Sequence, residues 1–243
     1  VQLAVQDSEI WRAFDLDAAT TGTIALATGV VALLVVLLRT PWRLARNVMT
    51  IVHEAGHAAV AVLAGRRLQG IRLHSDTSGV TVSRGKPEGP GMVLTTLAGY
   101  PAPALLGLAF AGLVSGENLS AVLGIAAVLL LGVLVMVRNA YGVFAVLVSA
   151  AVLAAIAWFA GPGVQAAFVY VMTWFLLIGS VRPVFELQAK RRRGAARDSD
   201  ADQLARLTGL PAAIWLLVLG VLTLTCLVVG GMLLVEPAVP APL

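Results

Sequence analysis

The chain has 243 residues, 59% of them hydrophobic and 12% charged, with a mean hydropathy of +0.90. Soluble domains carry about 25% charged residues, so a water-soluble enzyme is excluded, and the single cysteine, Cys226, excludes a disulfide scaffold. The formal charge of +4 does not point to nucleic acid, because the basic residues sit between apolar runs and report membrane topology instead.

A hydrocarbon core of roughly 30 Å takes about 20 apolar residues of helix. The N-terminal stretch carries Asp7, Glu9, Asp15 and Asp17 without a basic start, so it is not expected to act as a signal peptide. The first expected span is 18–38. The second, 47–65, is the only one that holds ionisable residues. Residues 66–86 alternate apolar and polar around a turn at 75–79, which predicts a β-hairpin. Further spans are expected at 91–114, 118–137, 139–160 and 164–181, divided by Ser115-Gly116-Glu117, Arg138-Asn139 and Gly161-Pro162-Gly163. Residues 186–210 read as a basic loop with a short amphipathic helix at 199–207, and the last span is 212–235. The expected fold is an all-α polytopic membrane protein. It has about seven transmembrane helices, a small cytoplasmic-side β-hairpin after the second, and one membrane domain over 1–243.

Counting Lys and Arg by loop gives the expected orientation. With the N-terminus inside, Arg12, Arg66, Arg67, Arg72, Arg84, Lys86, Arg138, Arg182, Lys190, Arg191, Arg192, Arg193, Arg197 and Arg206 share one side, and only Arg39, Arg43 and Arg46 take the other. The N-terminus is therefore expected in the cytoplasm and the C-terminus outside, in a bacterial plasma membrane.

Residues His53, Glu54 and His57 fit the pattern H-E-x-x-H. On a helix, positions i and i+4 share a face about 5–6 Å apart, so two imidazoles can grip one metal ion. Glu54 then stands ready to take a proton from water. Glu54 is also the only acid inside an expected span, where an ionised side chain costs about 2.5–3.5 kcal/mol or more. Bound Zn2+ would offset that cost. The alternative is a polar helix–helix contact or a water-filled proton path. Gly56 and the surrounding alanines allow close helix approach. The nine residues to Arg66 suggest a metal roughly 13 Å below the cytoplasmic surface.

Together these residues resemble a known family. His53–His57 in an apolar helix, a hairpin with Gly79-Val80-Thr81, then Leu97-Ala98-Gly99-Tyr100-Pro101, Arg138-Asn139 and Ser199-Asp200-Ala201 look like the site-2 protease class of intramembrane zinc metallopeptidases. The likeness is to its compact branch without a PDZ insertion and covers about 50–215. One departure matters. Better-known members take a third ligand from a Leu-Asp-Gly or Asn-Pro-Asp-Gly motif, whereas Asn139-Ala140-Tyr141-Gly142 has no acid. Catalytic zinc normally has three protein ligands, and the available acids are Asp76, Glu88, Glu186, Asp198, Asp200 and Asp202. The resemblance selects Asp200, with Asp202 as alternative. Both could instead serve the first turn of a helix capped by Ser199. Asp200 also has to re-enter the membrane to reach the histidines.

His74 reads as a polar strand residue and Asp76 as a turn former. Tyr100, Asn139 and Gly79 are expected as substrate-binding or auxiliary residues, Asn139 by holding substrate backbone or an oxyanion. The expected activity is zinc-dependent hydrolysis of a peptide bond in a transmembrane protein substrate within the lipid bilayer, with Glu54 as general base. Residues 70–83 would hold the unwound substrate by strand addition. Two other readings stand beside it: an inactive relative acting as membrane scaffold or regulator, and a metal-ion or proton transporter. Substrate identity and oligomeric state are not legible.

Overall fold

The computed structural model describes residues 18–193 and 199–235. Asp198, both chain ends, and Arg12 and Arg197 of the charge count lie outside the described residues. The chain is mostly helical, with helices α1 (Ala18–Leu37), α2 (Arg39–Leu63), α3 (Pro90–Leu97), α4 (Pro101–Ser115), α5 (Leu119–Met136), α6 (Ala140–Phe159), α7 (Pro162–Arg192), α8 (Asp200–Thr208) and α9 (Ala212–Val235). Strands β1 (Arg67–Leu73) and β2 (Gly79–Arg84) lie between α2 and α3.

Among the described residues α5, α6, α7 and α9 are each long and apolar enough to cross a membrane. Two further runs qualify only as bent pairs: α1 with α2, at 97°, and α3 with α4, at 65°. Four to six candidate spans result, so the expected count of seven is not reached. The physical reason is visible in α2. Arg39, Arg43, Arg46, His53 and Glu54 give it a polar face, so the apolar run at 47–65 is part of a longer amphipathic helix. The chain turns through about a right angle at Leu38, between α1 and α2.

Helix α7 is the central pillar, with 56% of its apolar window buried against 22–28% for α5, α6 and α9. It packs against α1, α4 and α9 around Phe110, Val169, Leu176 and Leu177. Arg182 of α7 donates to the carbonyl of Val36, one of the α1 carbonyls that the helix itself leaves without a partner. The same guanidinium lies 4.7 Å from the Trp42 ring centroid and bonds Glu186 at 2.8 Å. Glu186 in turn meets Arg46 at 3.2 Å. This cluster fastens the α1–α2 corner to α7.

The two strands pair antiparallel, Leu73 opposite Gly79 and Ile71 opposite Thr81, with an irregularity between Leu68 and Gly70. Ile71 and Leu73 are buried on one face, while Val80 and Val82 are exposed on the other. The buried face lies on α2. Beyond β1 the chain meets the α5–α6 corner, where the Arg138 amide donates to the Ile71 carbonyl at 2.9 Å. Gly70 makes that approach possible. Its φ is +144° and a Cβ there would stand 2.9 Å from the Met136 carbonyl oxygen, so no other residue fits without strain.

Candidate metal centre

Helix α2 presents His53 and His57 one turn apart, with their Nε2 atoms 3.1 Å from each other. His57 is buried, and its Nδ1 lies 2.7 Å from the Thr95 carbonyl on α3. A carbonyl can only accept, so Nδ1 carries the proton and Nε2 of the neutral ring presents a lone pair. Tyr100, between α3 and α4, sets its ring edge-on to His53 with centroids 4.9 Å apart.

The third group comes from α8. Ser199 caps this helix, accepting from the Asp202 amide, and its hydroxyl donates to Asp202 Oδ2 at 2.6 Å. The Ser199 side chain thus caps the N-terminus of α8 and is itself held by the Asp202 carboxylate. It fixes Asp200 in the first turn, while Ala201 buries against Val184, Leu187, Leu216 and the flanking Leu97 and Tyr100, and Leu204 is buried as well. Asp200 therefore reaches the histidines because α8 packs against α3 and α9. Its Oδ2 stands 3.3 Å from His53 Nε2 and 3.2 Å from His57 Nε2. That oxygen is buried and takes no hydrogen bond.

Three electron-rich atoms thus converge at 3.1–3.3 Å. Zn–N and Zn–O bonds of about 2.0–2.1 Å in a tetrahedron set neighbouring ligand atoms about 3.3–3.4 Å apart. The group fits a tetrahedral cation on three of its corners, and the orphaned Asp200 oxygen is what such an ion would satisfy. Among the described residues His53, His57 and Asp200 form a set able to hold a metal ion.

Glu54, on the adjoining face of α2, is buried with 4% exposure. Its Oε2 accepts from the Thr81 hydroxyl at 2.6 Å, and the same hydroxyl lies 3.1 Å from the Glu54 carbonyl. Gly79 presses directly on the carboxylate: a Cβ at that position would be 2.6 Å from Glu54 Oε1. Gly99 does the same for the imidazoles, since its Cβ would come 2.6 Å from His53 Nε2 and closer still to His57 Nε2. Gly56 permits the approach of α2 to the α3–α4 break, with the Ala98 carbonyl oxygen only 2.8 Å from where its Cβ would be.

The structure places the other candidates as follows. Asp202, the alternative ligand, is turned away: Arg191 holds Oδ1 and Ser199 holds Oδ2. Burial pushes its carboxyl upward, but Arg191 and Ser199 prevail and hold it below the usual carboxylate range. Asn139 has its amide on Leu73, accepting from the Leu73 amide at 3.1 Å and donating to the Leu73 carbonyl at 2.6 Å. It sits at an N-cap position without a capping side-chain bond, its carboxamide being engaged by the hairpin main chain. Glu186 is taken by Arg46 and Arg182. Asp76 forms the hairpin turn, receiving the Ser78 amide and hydroxyl at 3.0 and 2.6 Å. His74 is exposed beside Ser78 in that turn. Sequence reasoning did not single out Thr81, Thr95 or Gly99 as site residues. Only the Gly-Val-Thr and Ala-Gly-Tyr-Pro stretches carried a hint of two of them.

No curated protein and no solved structure matches the chain. The family model described as Peptidase M50B-like matches residues 26–230, which includes every residue of the centre. The apolar helices and this match make it an integral membrane protein of a metallopeptidase family. A histidine pair, a buried carboxylate and a neighbouring glutamate, carried within a match over most of the chain, place the protein in the peptidase M50B-like family, that of the site-2 proteases.

Proposed function

We propose that the protein is an intramembrane zinc metalloprotease that cleaves a peptide bond of a membrane-embedded protein, with His53, His57 and Asp200 as metal ligands and Glu54 as general base. The observation that carries this reading is the convergence of Nε2, Nε2 and the orphaned Oδ2 beside a buried glutamate. Zinc bound there would supply Lewis-acid polarisation of a carbonyl and would make water acidic enough to lose a proton near neutral pH.

The chain's own residues supply the rest. The Thr95 carbonyl orients His57 through Nδ1–H. A Glu54 carboxylate oxygen takes the proton from water and passes it to the leaving amide nitrogen. A helical substrate has its peptide groups bonded to one another and must unwind before attack. On β1, the main-chain groups of Ile71 and Leu73 face Asn139 and Arg138. Antiparallel alternation then turns those of their partners Thr81 and Gly79 outward from β2. Among the described residues no strand pairs with that edge, so an unwound segment has a place to add beside Glu54. An N-terminus in the cytoplasm would place hairpin and centre toward that side.

Zinc content and cleavage of a membrane-helix peptide in reconstituted vesicles test this, with Glu54→Gln as control. The variant is expected to keep its metal and lose about 100- to 10,000-fold in rate. Equal cleavage by both proteins refutes the proposed base. A wild-type protein that takes up zinc and cleaves nothing favours the inactive-relative reading.

A further inference from the structure

The hairpin touches the centre through the Thr81 side chain on Glu54 and the α5–α6 corner through the Asn139 side chain and the Arg138 amide on the β1 main chain. At β1, the Asn139 carboxamide imitates a strand by pairing with both main-chain groups of Leu73. Gly142 keeps the space for it, since a Cβ there would lie 2.8 Å from Asn139 Oδ1. Leu73 is the register partner of Gly79, and Ile71 that of Thr81. Gly79 and Thr81 are the two β2 residues in contact with the Glu54 carboxylate.

We propose that the hairpin is a brace that sets the Glu54 carboxylate, with Thr81 and Asn139 as positioning residues at its two edges. This rests on the protease reading, because it assigns these residues a task in the work of Glu54. Thr81 has one hydroxyl proton, shared between the Glu54 carbonyl and Oε2, so it ties the side chain to its own helix backbone and removes rotamer freedom. Gly79 closes the other side of the carboxylate. Asn139 holds the hairpin against α6 so that Thr81 and Gly79 stay at that distance. Because Gly79 and Thr81 are also the outward-facing residues of β2, a segment added at that edge bonds to the same two residues that hold the base. Substrate docking and base alignment therefore share one strand.

The test uses the full chain, zinc-loaded, with wild type, Thr81→Val, Thr81→Ser and Asn139→Asp. Three quantities are read: zinc content, kcat and KM separately on the membrane-helix peptide, and the infrared carboxylate stretch of Glu54, assigned by subtraction of Glu54→Gln. Hydrogen exchange at the Leu73 amide reports the hairpin anchor. Thr81→Val is expected to lower kcat about 10- to 100-fold with KM within about threefold and zinc unchanged, and to shift the Glu54 band. Thr81→Ser, which restores the hydroxyl, is expected to recover both. Asn139→Asp loses the donor to the Leu73 carbonyl, so faster exchange at Leu73 and a lower kcat are expected together. Wild-type kcat and an unmoved band in Thr81→Val overturn the brace, as does a Thr81→Ser variant no better than Thr81→Val. Faster exchange at Leu73 without loss of kcat overturns the part assigned to Asn139. Failure of wild type to cleave, or full cleavage by Glu54→Gln, sinks the protease reading instead. The infrared band still decides whether Thr81 holds Glu54.

Discussion

Replacing Gly99 by alanine adds one methyl group at the most crowded point of the centre. Gly99 is not among the glycines with positive φ, so alanine suits the backbone there and the α3–α4 break is expected to fold. The difficulty is space. The new Cβ would stand 2.6 Å from His53 Nε2 and Cε1, and nearer to His57 Nε2, whereas ordinary carbon–nitrogen contact begins at about 3.4–3.5 Å. The imidazoles or the break must therefore shift by at least about 0.8 Å, several times the ±0.2 Å over which metal–ligand distances are held. The methyl also points into the space between the two nitrogens that a shared cation needs. Perturbing the surroundings of metal ligands typically costs about 10- to 100-fold in affinity, and direct intrusion is expected to reach the upper end, about 2.7 kcal/mol. The assay is zinc retention of purified Gly99→Ala in lipid nanodiscs against a graded chelator, with helix content followed by circular dichroism. A variant that folds and binds zinc as tightly as wild type refutes the placement of the metal between these nitrogens.

Asp200→Asn and Asp202→Asn separate ligand from cap. Asp200→Asn is expected to lower zinc affinity by at least tenfold, measured by chelator competition. Asp202→Asn is expected to keep its zinc and to lose only about 0.5–1 kcal/mol of thermal stability, because it weakens the bond that holds the capping Ser199 hydroxyl and a partly exposed ion pair. Gly79→Ala should keep zinc yet lose cleavage, since its Cβ would displace the Glu54 carboxylate and not the imidazoles. Parallel metal and rate measurements check it, and loss of zinc in that variant would mean the two halves of the site are not separable.

The sequence was most informative where chemistry and pattern coincide. His53, Glu54 and His57 stand out because ionisable residues are scarce in apolar helices, and the alternation marks a hairpin within 66–86, where the strands are Arg67–Leu73 and Gly79–Arg84. Asp200 was reached through a family likeness, and residue patterns alone left Asp202 beside it. Only the capping geometry shows why the first acid faces inward and the second is held by Arg191. The turn at Leu38 was hidden because hydropathy records apolar runs and passes over an amphipathic helix whose polar face begins at Arg39. Thr95 acts through its carbonyl, and Gly79 and Gly99 through the side chains they lack, so residue type gives little sign of either. Asn139 was legible as a special position, but its partner is the main chain of Leu73, and hydrogen-bonding capacity alone does not choose among partners.

The position of α8 links cation loading to the integrity of the C-terminal part of the chain. Two of the proposed ligands sit on one turn of α2, but the third rides on a nine-residue helix that follows a polar, basic connection and precedes α9. Filling the centre would therefore close a long loop of chain and tether α8 to the far end of the sequence, much as a clasp joins two ends of a strap. Chelation would release the clasp before it disturbed the α1–α4–α7–α9 bundle, so a protease added to the emptied protein would nick first around α8, leaving the bundle's helices protected in the bilayer.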